Sequence, residues 1–218
     1  MTRPVVLVAG AGPGVSGSLA RTYAQDGHDV GLLGADEEVL ATLAAELGER
    51  GAVVEHVVAD LTDQTATRAA VTRIGERFGH LEVLHFNPSA YRERGPLELT
   101  VAELLEDVTL GVGALLTVLQ AARPFLTAGS RVTATGSMAA DRPDHRVASL
   151  GVQKAGLQNL VRSIDAALEP DGIRAVSVTV RGSLSREGAF TPDRVAEALH
   201  AAAHQDPAAW RSELAYEG

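Results

Sequence analysis

Hydrophobic positions along the chain alternate between two patterns. Short runs of aliphatic and β-branched residues predict strands, and the longer stretches between them, with apolar residues three and four positions apart, predict helices. The predicted strands lie at about 4–9, 29–33, 53–58, 81–86, 130–135 and 174–180, with a weaker one near 212–216. The predicted helices lie near 14–26, 36–48, 63–78, 100–126, 147–169 and 192–204. Strand and helix therefore alternate along the whole sequence.

This alternation determines the expected fold. Strands that are joined by helical crossovers pair in parallel, with right-handed connections. We therefore expect an α/β protein with one doubly wound, Rossmann-type parallel sheet of about seven strands and helices on both faces. There is no repeat, charge block or linker rich in proline and serine, so residues 1–218 are predicted to form a single domain. Such sheets bind ligands at the carboxyl ends of their strands, and the functional residues are expected there.

Composition and charge narrow the classes of function. The 218 residues are 45% hydrophobic and 22% charged, values typical of a globular chain. The formal net charge of −9 argues against binding to nucleic acid or to an anionic membrane. The chain has no cysteine for disulfides or thiolate zinc sites, and its histidines lack metal-ligand spacing, so no metal is expected. The apolar start is too short for a signal segment or a membrane span, which predicts a cytoplasmic protein.

A glycine-rich turn follows the first predicted strand. Gly10, Gly12 and Gly14 lead directly into the first predicted helix. Glycines let the backbone approach an anion closely, and the N–H groups at a helix start stabilise a pyrophosphate. The turn alone is compatible with a nicotinamide, a flavin or an S-adenosylmethionine ligand, and the segment 87–91 is faintly similar to an amino-methyltransferase motif. A tight turn without a ligand is the remaining alternative.

Five short segments stand in the same order as in one known family. They are the Gly10-x-x-x-Gly14 turn, Asp60 with Leu61, Asn87 at the end of the fourth strand, Thr135-Gly136-Ser137 at the end of the fifth, and Lys154 in the fifth long helix. Over nearly its whole length the chain thus resembles the short-chain dehydrogenase/reductase family. The resemblance implies a nicotinamide cofactor, NAD or NADP, with Ser137 and Lys154 in the catalytic site. The implied cofactor-binding residues are Gly10, Gly12, Gly14, Asp60, Asn87 and Lys154.

The sequence departs from this family at positions that would face the ligand. The resemblance implies a tyrosine as general acid and base four residues before Lys154, where this chain has Leu150, which has no proton to exchange. It also implies an asparagine in the fourth long helix, where Gly111 stands, and a third glycine in the turn, where Ser16 stands. These departures remove the usual proton relay, although the features that specify the fold remain.

The end of the second predicted strand bears on the choice of cofactor. Gly34 offers no acid to hold a ribose diol, and Ala35 offers no arginine to hold a 2′-phosphate. Asp36 is the nearest acid and gives NAD a slight preference over NADP. Alternatively, Asp36 is an acidic residue that stabilises the start of the next helix.

Four polar residues are candidates for catalysis. Ser137 ends a strand and can orient a substrate oxygen, or make only a local turn bond. Lys154 lies in the apolar stripe of its helix, so it must find an anion, reach solvent or lose its charge. Asp144 and His145 follow Ser137 in a loop and are candidates to replace the missing tyrosine, since a histidine beside a carboxylate carries protons near neutral pH. The alternative is a solvated loop whose charges pair with each other.

These observations leave three hypotheses for function. The first is an NAD(P)-dependent oxidoreductase that acts on a small molecule. The second is an isomerase, lyase or cyclase that needs no hydride transfer and acts on a bulky substrate of the natural-product type, since the segment 181–191, which covers the substrate in relatives, is short. The third is a non-catalytic binding protein or a methyltransferase. The helix predicted at 100–126 is apolar on nearly every side, which predicts a homo-dimer or homo-tetramer that covers it.

Overall fold

The computed structural model describes residues 3–218 and contains one parallel sheet. Its strands are β1 (Val5–Ala9), β2 (Asp29–Gly34), β3 (Val54–Val58), β4 (Leu81–Phe86), β5 (Leu126–Ser137), β6 (Arg174–Val180) and β7 (Glu213–Tyr216). They lie in the order β3-β2-β1-β4-β5-β6-β7, and every neighbouring pair is parallel. The strand order reverses direction beside β1, so the carboxyl ends of β1 and β4 form the crevice in which such sheets bind ligands.

Helices cover both faces of this sheet, which confirms the predicted fold class. They are α1 (Val15–Gln25), α2 (Glu37–Glu49), α3 (Gln64–Phe78), α4 (Val101–Val108), α5 (Ala114–Ala122), α6 (Ala148–Leu168) and α7 (Pro192–Ala203). Helices α1, α2 and α7 pack on one face, and α3, α5 and α6 pack on the other. Each group of three helices forms one apolar cluster with its face of the sheet. No helix in the described part of the chain is long and apolar enough to cross a membrane.

The prediction of a single helix at 100–126 is wrong. A π-helical turn, Thr109–Gly113, separates α4 from α5, and a short 3₁₀ turn, Arg123–Phe125, ends the helical region before β5 begins at Leu126. Two causes are local. Pro124 cannot continue a helix because it lacks an N–H group, and the two glycines of the π turn disfavour regular α-helix. The expected homo-oligomer remains a prediction, and Val101 and Leu105 on α4 are exposed in the single chain.

Candidate active site

The glycine turn after β1 has a shape that requires glycine at its first position. Gly10 has a φ of +79° and donates its N–H to the Leu33 carbonyl oxygen at 2.8 Å. A Cβ atom at this position would lie 2.7 Å from the ring of Pro88, which follows β4. The left-handed backbone and this close contact both exclude a side chain. The turn is therefore held against the segment that leaves the neighbouring strand.

Helix α1 begins with backbone N–H groups that no side chain caps. Gly14 is its N-cap and makes no side-chain hydrogen bond, and a Cβ added there would meet no atom within 4 Å. Ser16, the residue in place of the third glycine, is 2% exposed, and its hydroxyl accepts a hydrogen bond from the Gly12 N–H at 3.0 Å. The serine thus braces the turn from inside. We call this open helix start, residues 14–17, the cradle, because such N–H groups bind anions.

A cavity of about 350 Å³ lies beside the cradle, at the carboxyl ends of the strands, and we call it the inner cavity. It brings together four residues that the sequence predicted for the site, because it is lined by Gly14, Asn87, Ser137 and Lys154. Leu150 lies on the same wall, so an alkyl group stands where the resemblance implies a tyrosine. The structure therefore places these four candidate residues together, and Leu150 offers no proton to exchange.

Lys154 is buried at the base of the inner cavity. The residue is 5% exposed, and its Nζ donates a hydrogen bond to the Thr135 carbonyl oxygen at 2.9 Å. It forms no ion pair with the residues that the structure describes, and burial lowers its pKa to about 8. Of the three outcomes open to this lysine, a side chain whose head reaches water is wrong, because the residue is buried, and no anion pairs with it among the described residues.

His85 lies beneath the site, inside the sheet, and is a core histidine. Its ring nitrogens contact the hydroxyls of Thr133 at 2.8 Å and of Thr135 at 3.3 Å. Burial, and next the nearby Lys154, lower the pKa of His85 to about 3. The ring is therefore neutral at ordinary pH, and it adds no second positive charge beside Lys154.

Ser137 ends β5 on the wall of the inner cavity. Its Oγ accepts a hydrogen bond from the Ala139 N–H at 3.2 Å, which is the local turn bond that the sequence allowed. This bond uses the oxygen as an acceptor and leaves the hydroxyl proton free for a second partner. Ser137 can therefore still donate to a substrate oxygen.

Asp144 and His145 lie in a different place. With Arg146 and Tyr91 they line a wider cavity of about 740 Å³, which we call the outer cavity, and Tyr91 lies on the walls of both cavities. Asp144 pairs with Arg146 at 2.6 Å, and hydrogen bonds from Arg146 lower its pKa to about 2. The His145 side chain is 87% exposed. The structure does not bring this pair to the inner cavity with Ser137 and Lys154.

The two other acids that the sequence singled out both make local hydrogen bonds. Asp36 is the N-cap of α2 and accepts a bond from the Val39 N–H at 3.1 Å. Asp60 accepts bonds from the N–H and the hydroxyl of Thr62 at 2.8 and 2.7 Å, and these bonds lower its pKa. Both carboxylates are exposed, so their free lone pairs remain available to a ligand.

Gln153 is a buried residue that supports a segment beside the site and that sequence reasoning missed. It is fully buried, its Oε1 accepts from the Ala90 N–H at 2.9 Å, and its Nε2 donates to the Ala90 carbonyl at 3.2 Å. A Cβ at Gly111 would lie 2.3 Å from that Oε1, so the glutamine fills the space beside the glycine. This clamp fixes the irregular segment that carries Asn87 and Tyr91. A polar residue between apolar positions of α6, next to Lys154, is the signal that could have revealed it.

Lys154 also carries a signal that sequence reasoning overlooked. It is the only lysine in the 218 residues, which contain eighteen arginines. A chain that uses arginine at every other basic position has a lysine at the base of this cavity. This choice is consistent with a chemical requirement, because an amine loses its proton readily when buried and a guanidinium does not.

The comparisons with known proteins decide the family. The sequence model of the family described as short chain dehydrogenase matches residues 4–185. The chain belongs to this family. Within it, oxidoreductase UcpA of Escherichia coli K12 is 28% identical over 184 residues, which cover 82% of this chain and 68% of that protein. Sulfoacetaldehyde reductase 2 of Chromohalobacter salexigens is 28% identical over 178 residues, with 80% of this chain and 70% of that protein covered.

Solved structures of the family have the same architecture. A short chain dehydrogenase from Burkholderia cenocepacia J2315, solved in complex with NADP, superposes with a TM-score of 0.91 at 26% identity. The match covers 100% of this chain and 98% of that one. Within residues 3–218 we find no group of three histidine or acidic side chains arranged to hold a metal ion.

Proposed function

We propose that the protein is an NAD(P)-dependent oxidoreductase that interconverts a carbonyl compound and its alcohol, with Lys154 as the residue that exchanges the proton. The observation that carries this proposal is the buried Lys154 amine on the wall that also holds Ser137 and the cradle. The oxidoreductase names of the relatives and the NADP complex of the Burkholderia protein support it.

The residues present fit a nicotinamide dinucleotide. The cradle offers uncapped N–H groups, and the space beside Gly14 is open, which suits a pyrophosphate. Asn87 and Lys154 would hold the nicotinamide end, and Asp60 would lie toward the adenine end. When bound, the cofactor would supply or accept the hydride. Family membership favours this ligand over a flavin or S-adenosylmethionine.

Lys154 and Ser137 would handle the substrate oxygen. In reduction, the Ser137 hydroxyl donates to the carbonyl oxygen, and the Lys154 ammonium gives up a proton as the oxygen becomes a hydroxyl. The neutral amine then recovers a proton from water. An acid with a pKa of about 8 is well matched to neutral pH, because it is charged but releases its proton readily. Leu150 has no part in proton transfer.

The charges near the end of β2 favour NAD over NADP. Asp36, Glu37 and Glu38 open α2, and Gly34 and Ala35 provide no cation. A 2′-phosphate would meet this acidic helix start, whereas a ribose diol can donate to Asp36. Equilibrium titrations are expected to give about tenfold tighter binding of NADH than of NADPH, a difference of about 1.4 kcal/mol. The reverse order would overturn the preference for NAD but not the redox reaction.

The redox proposal is tested by following NADH oxidation with a panel of aldehydes and ketones. The rate of reduction should fall as the pH rises through about 8, where Lys154 loses its proton. Lys154→Met should abolish turnover but leave a folded protein. If the wild type binds NADH but none of the aldehydes and ketones in the panel causes it to be oxidised, the redox proposal is wrong.

A second function is favoured by Leu150. An alkyl group in the proton donor's position, with a larger outer cavity on the other side of Tyr91, suits an isomerase, lyase or cyclase that acts on a bulky substrate. This function predicts turnover without net oxidation of NADH, and the same panel separates it from the first.

A further inference from the structure

Few groups around Lys154 stabilise its positive charge. The amine has one hydrogen bond in the described structure, to the Thr135 carbonyl, and no ion pair. No aspartate or glutamate lies on the inner cavity wall, which instead presents the alkyl side chains of Leu150, Val180 and Val195. An ammonium ion in such a site is penalised because a buried charge needs a counter-charge or several donors and acceptors.

The neutral form of this side chain is chemically active. A desolvated lysine with a lowered pKa is a nucleophile toward carbonyl carbon at pH values where ordinary lysines are protonated. Burial lowers the pKa of Lys154 to about 8, so the free amine is a substantial fraction of the molecules at mildly alkaline pH. The one hydrogen bond to Thr135 uses a donor of the amine and leaves the nitrogen lone pair free.

We propose that the Lys154 amine adds to small aldehydes and ketones in the inner cavity and forms a Schiff base with them. The nitrogen forms a bond to the carbonyl carbon, both amine protons leave with the carbonyl oxygen as water, and a carbon–nitrogen double bond remains. The Ser137 hydroxyl, on the same wall, can donate to the oxygen as it departs. The reaction needs no nicotinamide, so it is separate from the redox proposal.

The cavity indicates which carbonyl compounds would react. Its volume of about 350 Å³ and its alkyl side chains suit a compound with a small apolar body, and the same lining includes the Ser137 hydroxyl. Benzaldehyde and propanal are suitable probes. Tyr91 lies on the walls of both the inner and the outer cavity.

The test is reductive trapping, and the single lysine makes it specific. The wild-type protein is incubated with benzaldehyde and sodium cyanoborohydride, and adducts are located by peptide mass spectrometry. Only Lys154 and the N-terminal amine can react by this route. We expect labelling of Lys154 that rises to half its maximum near pH 8 in the native protein, against a value near 10.5 for the protein unfolded in urea.

Two variants separate the cavity from the amine. Lys154→Met should retain only the N-terminal adduct, and Leu150→Phe, which fills the cavity without removing the amine, should slow labelling of Lys154 by about tenfold. If native Lys154 is labelled more slowly at pH 7 than the unfolded protein, or only the N-terminal amine reacts, the proposal is wrong. A failure of NADH binding would overturn the redox proposal and leave this result unaffected.

Discussion

The Lys154 ammonium nitrogen lies 2.9 Å from the Thr135 carbonyl oxygen, and this bond anchors the amine at the carboxyl end of β5. The acceptor is a neutral carbonyl, so the bond orients the amine but provides no negative charge to stabilise its protonated form. Since the chain has one lysine, the state of that proton can be measured directly. Protein labelled with ¹³C and ¹⁵N in lysine should give one side-chain signal, with a midpoint of titration near pH 8. A midpoint near 10.5 would contradict this account of the site.

The lowered pKa of Lys154 also affects stability. Between about 8 and 10.5 the unfolded chain binds more protons than the folded one, so the free energy of unfolding rises with pH in this window. Lys154→Met removes this dependence. Between pH 7 and 10.5 we expect the free energy of unfolding of the wild type to rise by up to about 3 kcal/mol relative to that of the variant. Urea unfolding of both proteins measures the difference, and parallel pH curves would contradict the prediction.

We predict that an aspartate at position 34 would disturb the glycine turn, although an acid there could hold a ribose diol. A Cβ there would lie 2.7 Å from the Ala11 carbonyl oxygen and 3.3 Å from Leu40, so a side chain would push the glycine turn out of place. Gly34→Asp should therefore weaken NADH binding by about tenfold, although it adds a ribose-binding carboxylate. Ala35→Asp is the matched control, because it adds the same charge at an exposed neighbour. Tighter binding by Gly34→Asp would show that the turn adapts.

Gly111 and Gln153 are predicted to be energetically coupled. Gly111→Ala places a methyl group 2.3 Å from the Gln153 Oε1 and should destabilise the protein by about 1–3 kcal/mol. In Gly111→Ala/Gln153→Ala the clash is removed, so the two effects should fall short of additivity by about 1 kcal/mol or more. Gly113→Ala, in the same π turn, meets no atom nearer than 3.9 Å and serves as the control. Additive unfolding free energies would show that the two residues act independently.

The parts of this molecule that the sequence predicted are those governed by local patterns. Buried parallel strands appear as continuous apolar runs, which located β1 and the turn at Gly10, and the order of motifs placed Ser137 and Lys154 at one edge of the sheet. The space beside Gly111 in the π turn at 109–113 is filled by Gln153, which comes from a distant part of the chain. Periodicity along one segment contains no information about such a partner.

The candidate proton donors show the same limit. Asp144 and His145 are close to Ser137 in sequence, but the loop turns them toward the outer cavity, where Arg146 holds the carboxylate. Their closeness to Ser137 in sequence predicted closeness in space, but the direction of the chain after β5 places them at the outer cavity. The absence of a carboxylate beside Lys154 is likewise a property of the assembled wall and of no single segment.

The most direct measurement of the central claim is calorimetric titration of the protein with NADH, together with the variant Gly14→Val. Open space at Gly14 lets the variant fold normally, while its side chain fills the cradle that would receive the pyrophosphate. We predict one NADH bound per chain with a Kd of about 100 µM or tighter in the wild type, and at least about tenfold weaker binding in the variant, with its melting temperature little changed. A wild type that binds no NADH, or a variant that binds it equally well, would contradict the account.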